Sequence, residues 1–363
     1  MARGRGALRL LLAVAAVMAL CMAVSAQEAD SGLFDVTPDE GLGEDVTQLI
    51  GGYDGQAPDL SGGLSSIVND ALNQSGSSLR QGLGAAAMIL AALMLCGLFD
   101  LSDRASGVVS LVGALAITAA CTGNLHSMIT LGSDTLTRLN DYSQFILPSL
   151  TGILASSGFT SASAALYAGT AFFLELLMTL IARLLIPALY VYVAVSAAEA
   201  AMNTGVLAKL RDLIKWLVTV SLKTVMYVFT GYLSITGILS GSADAAKLRA
   251  AKLTLSGTVP VVGSIVSDAS ETLLSSAAVV KNAVGTYGLL AVIAVCLLPF
   301  FRIGLQYLIL KATTALGGMV GRKNHVTLVE NLSGAMGLLL GMTGAYSFML
   351  LFSIALCMKA VGL

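Results

Sequence analysis

Long apolar runs separated by short polar breaks set the pattern of this chain. The stretches 81–99, 105–133, 142–174, 184–198, 224–243, 282–301 and 331–358 contain no Lys, Arg, Asp or Glu. A charge at bilayer depth costs a few kcal/mol or more, so these stretches mark what hydrocarbon can accept. A helix crosses the hydrocarbon in about 20 residues. The pattern therefore predicts an all-α, polytopic helical membrane protein with about seven transmembrane helices, in a range of six to nine. Two regions set that range. The run 142–174 is long for one crossing and offers Pro148 and Gly158 as breaks. From 284 to 320, Arg302 and Lys311 flank two short crossings, one long tilted helix or a re-entrant hairpin. Arg183 lies between two apolar runs, four residues before Pro187, and marks a tight hairpin.

The N-terminal stretch follows a different pattern. Arg3, Arg5 and Arg9 precede an apolar run from Leu10 to Met22, and Val24, Ser25 and Ala26 form a small-residue cleavage site. Residues 1–26 thus read as a signal peptide, with an uncleaved first crossing as the alternative. Residues 27–80 read as an acidic exported linker, mostly disordered, because few large apolar side chains are present to offset the entropy of ordering. Within it Leu60, Leu64, Ile67, Val68 and Leu72 keep helical spacing, as in a short amphipathic helix on the outer leaflet or a docking helix for a partner. Residues 81–363 form the multi-pass helical domain.

Composition agrees with the pattern. The chain is 56% hydrophobic and 11% charged, and a soluble fold of 363 residues could not cover its core with so little polar surface. The net charge of −1 conceals a division: ten acids and no bases between Gln27 and Leu79, then a weakly basic body. No basic stripe with interleaved aromatics is present, so nucleic acid is not an expected partner, whereas membrane lipid is. Lys209, Arg211 and Lys215 mark one cytoplasmic loop, Arg322 and Lys323 another, while Asp134, Arg138 and Asp141 suit the outer side. Trp216 follows Lys215 as an interface anchor would. Cys21 lies in the signal, and Cys96, Cys121, Cys296 and Cys357 sit within apolar runs, so neither a disulfide framework nor a metal site is expected. No catalytic motif and no cofactor motif is found, and without a Walker A sequence any energy must come from a gradient or a partner ATPase.

Three features are candidates for function. Gly334, Gly337, Gly341 and Gly344 line one face of the last span, and Gly231, Ser234, Gly237 and Gly241 repeat the device earlier. Such seams let helix backbones approach closely in lipid, inside one bundle or between subunits. The segment 254–284 carries an apolar stripe and, beside it, the polar stripe Ser264, Asp268, Glu271 and Ser275. It reads as an amphipathic helix lying at the interface or lining an aqueous pathway, with Pro260 and Gly263 allowing a re-entrant turn. Lone ionisable residues in apolar runs are Glu175, Glu199, Lys223 and Lys311. Glu199 and Lys311 are placed where long side chains snorkel to an interface, whereas Glu175 and Lys223 are expected to face the bundle interior, as a pair.

Several stretches together resemble the stage III sporulation protein AE family: Gly231 to Asp244 (GYLSITGILSGSAD), Lys252 to Gly263 (KLTLSGTVPVVG), Ser267 to Glu271 (SDASE) and Lys281 to Gly285 (KNAVG). The resemblance extends over about residues 150–358 and fades over the acidic head. It implies a non-enzymatic, permease-like subunit in the mother-cell membrane around the forespore. The implied partners are the other membrane subunits of a channel or secretion-like complex and a cytoplasmic ATPase. The implied role is support of forespore development and late forespore gene expression. The family supplies no catalytic or ligand-binding residues to carry over. An independent secondary transporter, with paired repeats and helices broken at the midplane, is the alternative, as is a scaffold for other subunits.

Overall fold

The computed structural model describes residues 60–99, 106–156, 160–202, 205–258, 262–319 and 321–359, and no side chain between 236 and 283. The signal segment and the linker up to residue 59 lie outside the described residues, and so do the side chains of Ser264, Asp268, Glu271, Ser275, Gly237 and Gly241. In chain order the helices are α1 (Leu60–Phe99), α2 (Ser106–Ser156), α3 (Thr160–Leu180), α4 (Ile186–Met202), α5 (Gly205–Thr258), α6 (Val262–Gly317) and α7 (Lys323–Lys359), with a π-helical turn, Ile181–Leu185, joining α3 to α4. There is no strand among the described residues.

Among the described residues, six segments are long and apolar enough to cross a membrane: Leu79–Gly97, Leu111–Gly152, Tyr167–Met202, Gly205–Ile235, Val284–Gly317 and Lys323–Met358. The count lies at the lower end of the expected six to nine because charged positions expected in loops lie on continuous helices. Helix α2 carries Asp134, Arg138 and Asp141 on its exposed face and continues through Pro148 to Ser156. The run 142–174 is therefore shared between α2 and α3. A helix can keep charges on one face without breaking, so a polar interruption alone does not mark a turn.

Arg183 does not form a hairpin. It lies inside the π turn of an unbroken rod from Thr160 to Met202. Pro187 has no N–H for the Arg183 carbonyl, and in a regular α-helix its ring would collide with that carbonyl. Widening the turn relieves both problems, and the Ile186 N–H donates to the Ile181 carbonyl five residues back. The 284–320 region is also resolved: α6 is one continuous helix carrying Pro299, Arg302 and Lys311, so there are neither two short crossings nor a re-entrant hairpin in it.

Contacts at small residues fix the directions of the helices. Gly63 faces Leu290, Gly82 faces Gln306 and Ile309, and Gly317 faces Leu93, so α1 and α6 run parallel. Gly285 meets Met358, Gly344 meets Phe300 and Gly337 meets Tyr307, so α7 runs antiparallel to α6. Gly113 meets His325 and Gly132 meets Leu339, so α2 runs parallel to α7. Half of the Lys323–Met358 span is buried, against 11% of Gly205–Ile235, which puts α7 at the centre and α5 at the edge. Ile89, Leu93, Ile117, Leu125, Leu189, Ile303, Leu332 and Met336 are among the side chains of the main core around α7.

The first half of α1 belongs to this bundle. Ile67 packs with Leu290 and Ala294 of α6, supported by Leu64, Ile293 and Leu297. Residues 60–80 are thus part of a helix that packs on its own chain, not linker. Of the stripe seen in the sequence, Leu64 and Ile67 pack on α6, while Val68 and Leu72 stay exposed.

Candidate functional site

Hydroxyl side chains in an apolar bundle need acceptors, and many find one within their own helix. Thr118, Thr135, Thr151, Ser196, Thr313 and Ser353 donate to the carbonyl four residues earlier. Other polar groups link helices. Tyr346 donates its hydroxyl to Asn140 Oδ1 at 2.9 Å, tying α7 to α2. Tyr232 donates to the Ala165 carbonyl at 2.7 Å, tying α5 to α3. Ser333 donates to the Tyr307 carbonyl at 3.3 Å, and His126 Nδ1 lies 3.1 Å from the Tyr190 hydroxyl.

The lone charges separate into two groups. Glu199 near the end of α4 and Arg211 near the start of α5 form an ion pair, with only 19% and 13% of their side chains exposed, and Arg211 also meets Asp212 at 2.9 Å. Lys311 and Glu330 pair at 3.0 Å across the α6–α7 turn and stay half exposed. Both residues assigned to interfacial snorkelling therefore have protein partners.

Glu175 and Lys223 are different. Each is exposed on the surface of the chain, on α3 and α5 respectively, and they form no pair with each other. Glu175 accepts a long hydrogen bond from Thr179 at 3.4 Å. The expectation that both face the bundle interior is corrected: the inner faces of α3 and α5 are occupied by Phe173, Leu177, Val218, Phe229 and Leu233. Sequence spacing placed both charges beside or between apolar runs but did not show which way they point.

The last glycine seam lies inside the chain. Gly334 faces the Tyr192 hydroxyl, Gly337 the Tyr307 ring, Gly341 Leu222 and Gly344 Phe300. Among the described residues, Gly231 faces open space, with no atom from beyond its own helical turn within 4 Å of where a Cβ would stand. The closest approaches lie elsewhere and escaped the sequence reading. A Cβ on Gly113 would run into Cys96 and His325, and one on Gly169 would fall within the Tyr232 ring. Neither glycine belongs to a periodic seam, so only the tertiary contact reveals it.

An open cleft of about 430 Å³ separates α1 from α2, lined by Gln81, Gly84, Ala85 and Met88 on one side and Ala120, Gly123, Asn124 and Ser127 on the other. It is polar at the Gln81–Ser127 end and apolar at the Met88–Ala120 end. The backbone bearing Ser264, Asp268, Glu271 and Ser275 is the first part of α6, helical without interruption into the Val284–Gly317 span.

A model of the stage III sporulation protein AE family matches residues 55–361. A Bacillus subtilis (strain 168) protein, stage III sporulation protein AE, is 22% identical over 237 residues, covering 65% of this chain. The chain spans 59% of that relative's length. No solved structure matches.

Proposed function

Because the chain belongs to the stage III sporulation protein AE family, we propose that it is a non-enzymatic, permease-like membrane subunit of the complex that links mother cell and forespore during endospore formation. The chain is a multi-pass membrane protein of a sporulation family, and the match over 55–361, which takes in all six membrane-length segments described, is the observation that carries the proposal. In the proposed role the chain sits in the mother-cell membrane around the forespore, with its acidic head outside the cytoplasm. Other membrane subunits and a cytoplasmic ATPase complete the complex, and its activity supports late forespore gene expression. The secondary-transporter alternative is less well supported, since the spans bearing Pro148 and Pro299 are unbroken helices where such a transporter has discontinuous ones.

Deletion in the spore-forming host, followed by complementation with the intact chain, tests the proposal. The expected result is loss of late forespore reporter expression and of heat-resistant spores, both restored on complementation. Affinity purification of the chain from sporulating cells is expected to retain a cytoplasmic ATPase. Normal late forespore expression in the deletion strain would overturn the reading.

A further inference from the structure

The apolar part of α2, Leu111–Gly152, is 42 residues long, and the hydrocarbon cannot hold all of it. At about 1.5 Å per residue it extends about 63 Å, roughly twice the 30 Å of a bilayer core. Absorbing the excess by tilt alone would need about 60°, well beyond the 0–40° that spanning helices adopt. Part of α2 must stand outside the lipid.

The exposed side chains show which part. From Leu111, where the described side chains of α2 begin, they are Leu111, Val112, Leu115 and Ala116. Small or weakly polar residues follow, with Thr122 bonded to its own helix and His126 to Tyr190. From Asp134 onward the described exposed positions are Asp134, Thr137, Arg138, Asp141 and Gln144, with no apolar side chain among them.

Helix α1 changes in the same way. Beyond Arg80 and the exposed Gln81 beside it, the described exposed residues are Leu83, Gly84, Ala87, Met88, Ala91, Met94 and Leu95, all apolar or glycine. Before Arg80 they are mainly Ser65, Ser66, Asn69, Asn73 and Gln74, interrupted by Val68, Leu72 and Leu79. The two changes occur at one height. Across the cleft Gln81 stands opposite Ser127, and along the chain of contacts Gly82–Gln306, Tyr307–Gly337 and Leu339–Gly132 it stands near Gly132. Arg80 and Asp134 are therefore separated by no more than about 10 Å along the bundle, close to the depth of one headgroup layer. On the lipid side, α1 from Gln81 to Phe99 is about 28 Å long, the length of one crossing.

We propose that the α1/α2 face meets the phospholipid headgroups at Arg80 and Asp134–Arg138, and that the outer halves of both helices form a water-facing wall beyond the bilayer. Arg80 and Arg138 supply guanidinium groups suited to lipid phosphates at that boundary. The buried side of the wall is secured by Ile67 and Ala71 on α1 and by Leu136, Leu139 and Tyr142 on α2. The boundary is drawn for the α1/α2 face alone, since α5 exposes Tyr227, Val228 and Ile235 across the bundle.

The test uses the full chain with its five cysteines replaced, in nanodiscs of phosphatidylethanolamine and phosphatidylglycerol, so that water reaches both faces and no partner subunit is present. Single cysteines from Ser66→Cys, Thr137→Cys and Gln144→Cys are compared with those from Met88→Cys, Leu95→Cys and Leu115→Cys, using a charged maleimide. The first set is expected to react at least about tenfold faster, because the reactive thiolate does not form in hydrocarbon. Equal rates at Thr137 and Leu115 would overturn the proposal. Should the cysteine-free chain misfold, tryptophan placed by Leu115→Trp or Thr137→Trp in a Trp216→Phe background gives a second reading. Lipids brominated in the acyl chain are expected to quench fluorescence at 115 and leave it unquenched at 137, and quenching at both positions would overturn the boundary.

Discussion

The Arg211 guanidinium on α5 reaches back to Glu199 on α4, and both side chains are largely withdrawn from solvent. Removing one partner leaves the other charge shielded and unpaired, which costs 3–5 kcal/mol for a fully buried pair. Partial exposure and the nearby Asp212 reduce this, so Arg211→Met is expected to lower stability by about 2 kcal/mol. The double variant with Glu199→Met should recover part of the loss, because the isolated carboxylate is gone. Thermal unfolding in detergent across the four-member cycle measures this coupling, and additive losses would refute it. The sequence displayed Glu199 and Lys311 as lone charges but not their partners. Arg211 lies 12 residues from Glu199 and Glu330 lies 19 from Lys311, so both pairings depend on how a helical hairpin folds back.

Among the elements, α1 shows how a correct periodicity can lead to the wrong neighbour. Leu64 and Ile67 define an apolar stripe that would suit a membrane surface, yet they pack on Leu290, Ile293 and Ala294. Ile67 is 2% exposed, and Ile67→Asp is expected to detach the first half of α1 from α6. Trypsin cleavage at exposed Arg80 in the purified protein should then accelerate, while Asn69→Asp on the outer face should leave it unchanged. An unaltered cleavage rate in Ile67→Asp would show that this packing does not hold the helix. The α3–α4 rod makes a related point. Pro187 and Arg183 are legible as a disturbance, but the disturbance is absorbed by a π turn, because one wider turn satisfies the backbone at less cost than a reversal of the chain.

At the scale of the whole molecule, burial grades from the central α7 to the peripheral α5. The charge-free run 331–358 and its glycines anticipate the central helix, since small residues let Tyr192, Tyr307 and Phe300 close in on it. Lys223 and Glu175 lie on the outside of this arrangement, where they contribute nothing to the chain's own packing. Glu175→Gln and Lys223→Met are therefore expected to leave the melting temperature of the purified chain nearly unchanged, within about 0.5 kcal/mol in stability, as for most surface substitutions. In the host the same variants are expected to reduce heat-resistant spores, because an exposed charge amid apolar sequence, with no ion-pair partner among the described residues of its own chain, is placed to meet another subunit or water. Normal spore yield from both variants would show that neither charge is used.

The sequence by itself determined the class of this protein. Where charge is absent hydrocarbon can be entered, and that requirement is local, so an all-helical membrane bundle, its approximate number of spans and its family resemblance could be read residue by residue. Only the tertiary structure decided which way each charge faces, which glycines are packed and which polar breaks are turns. Those properties depend on helix rotation and on partners tens to hundreds of residues away, as Tyr346 and Asn140 show across α7 and α2. Spacing along one helix places a side chain on a face, and what that face meets is settled by the neighbouring helices.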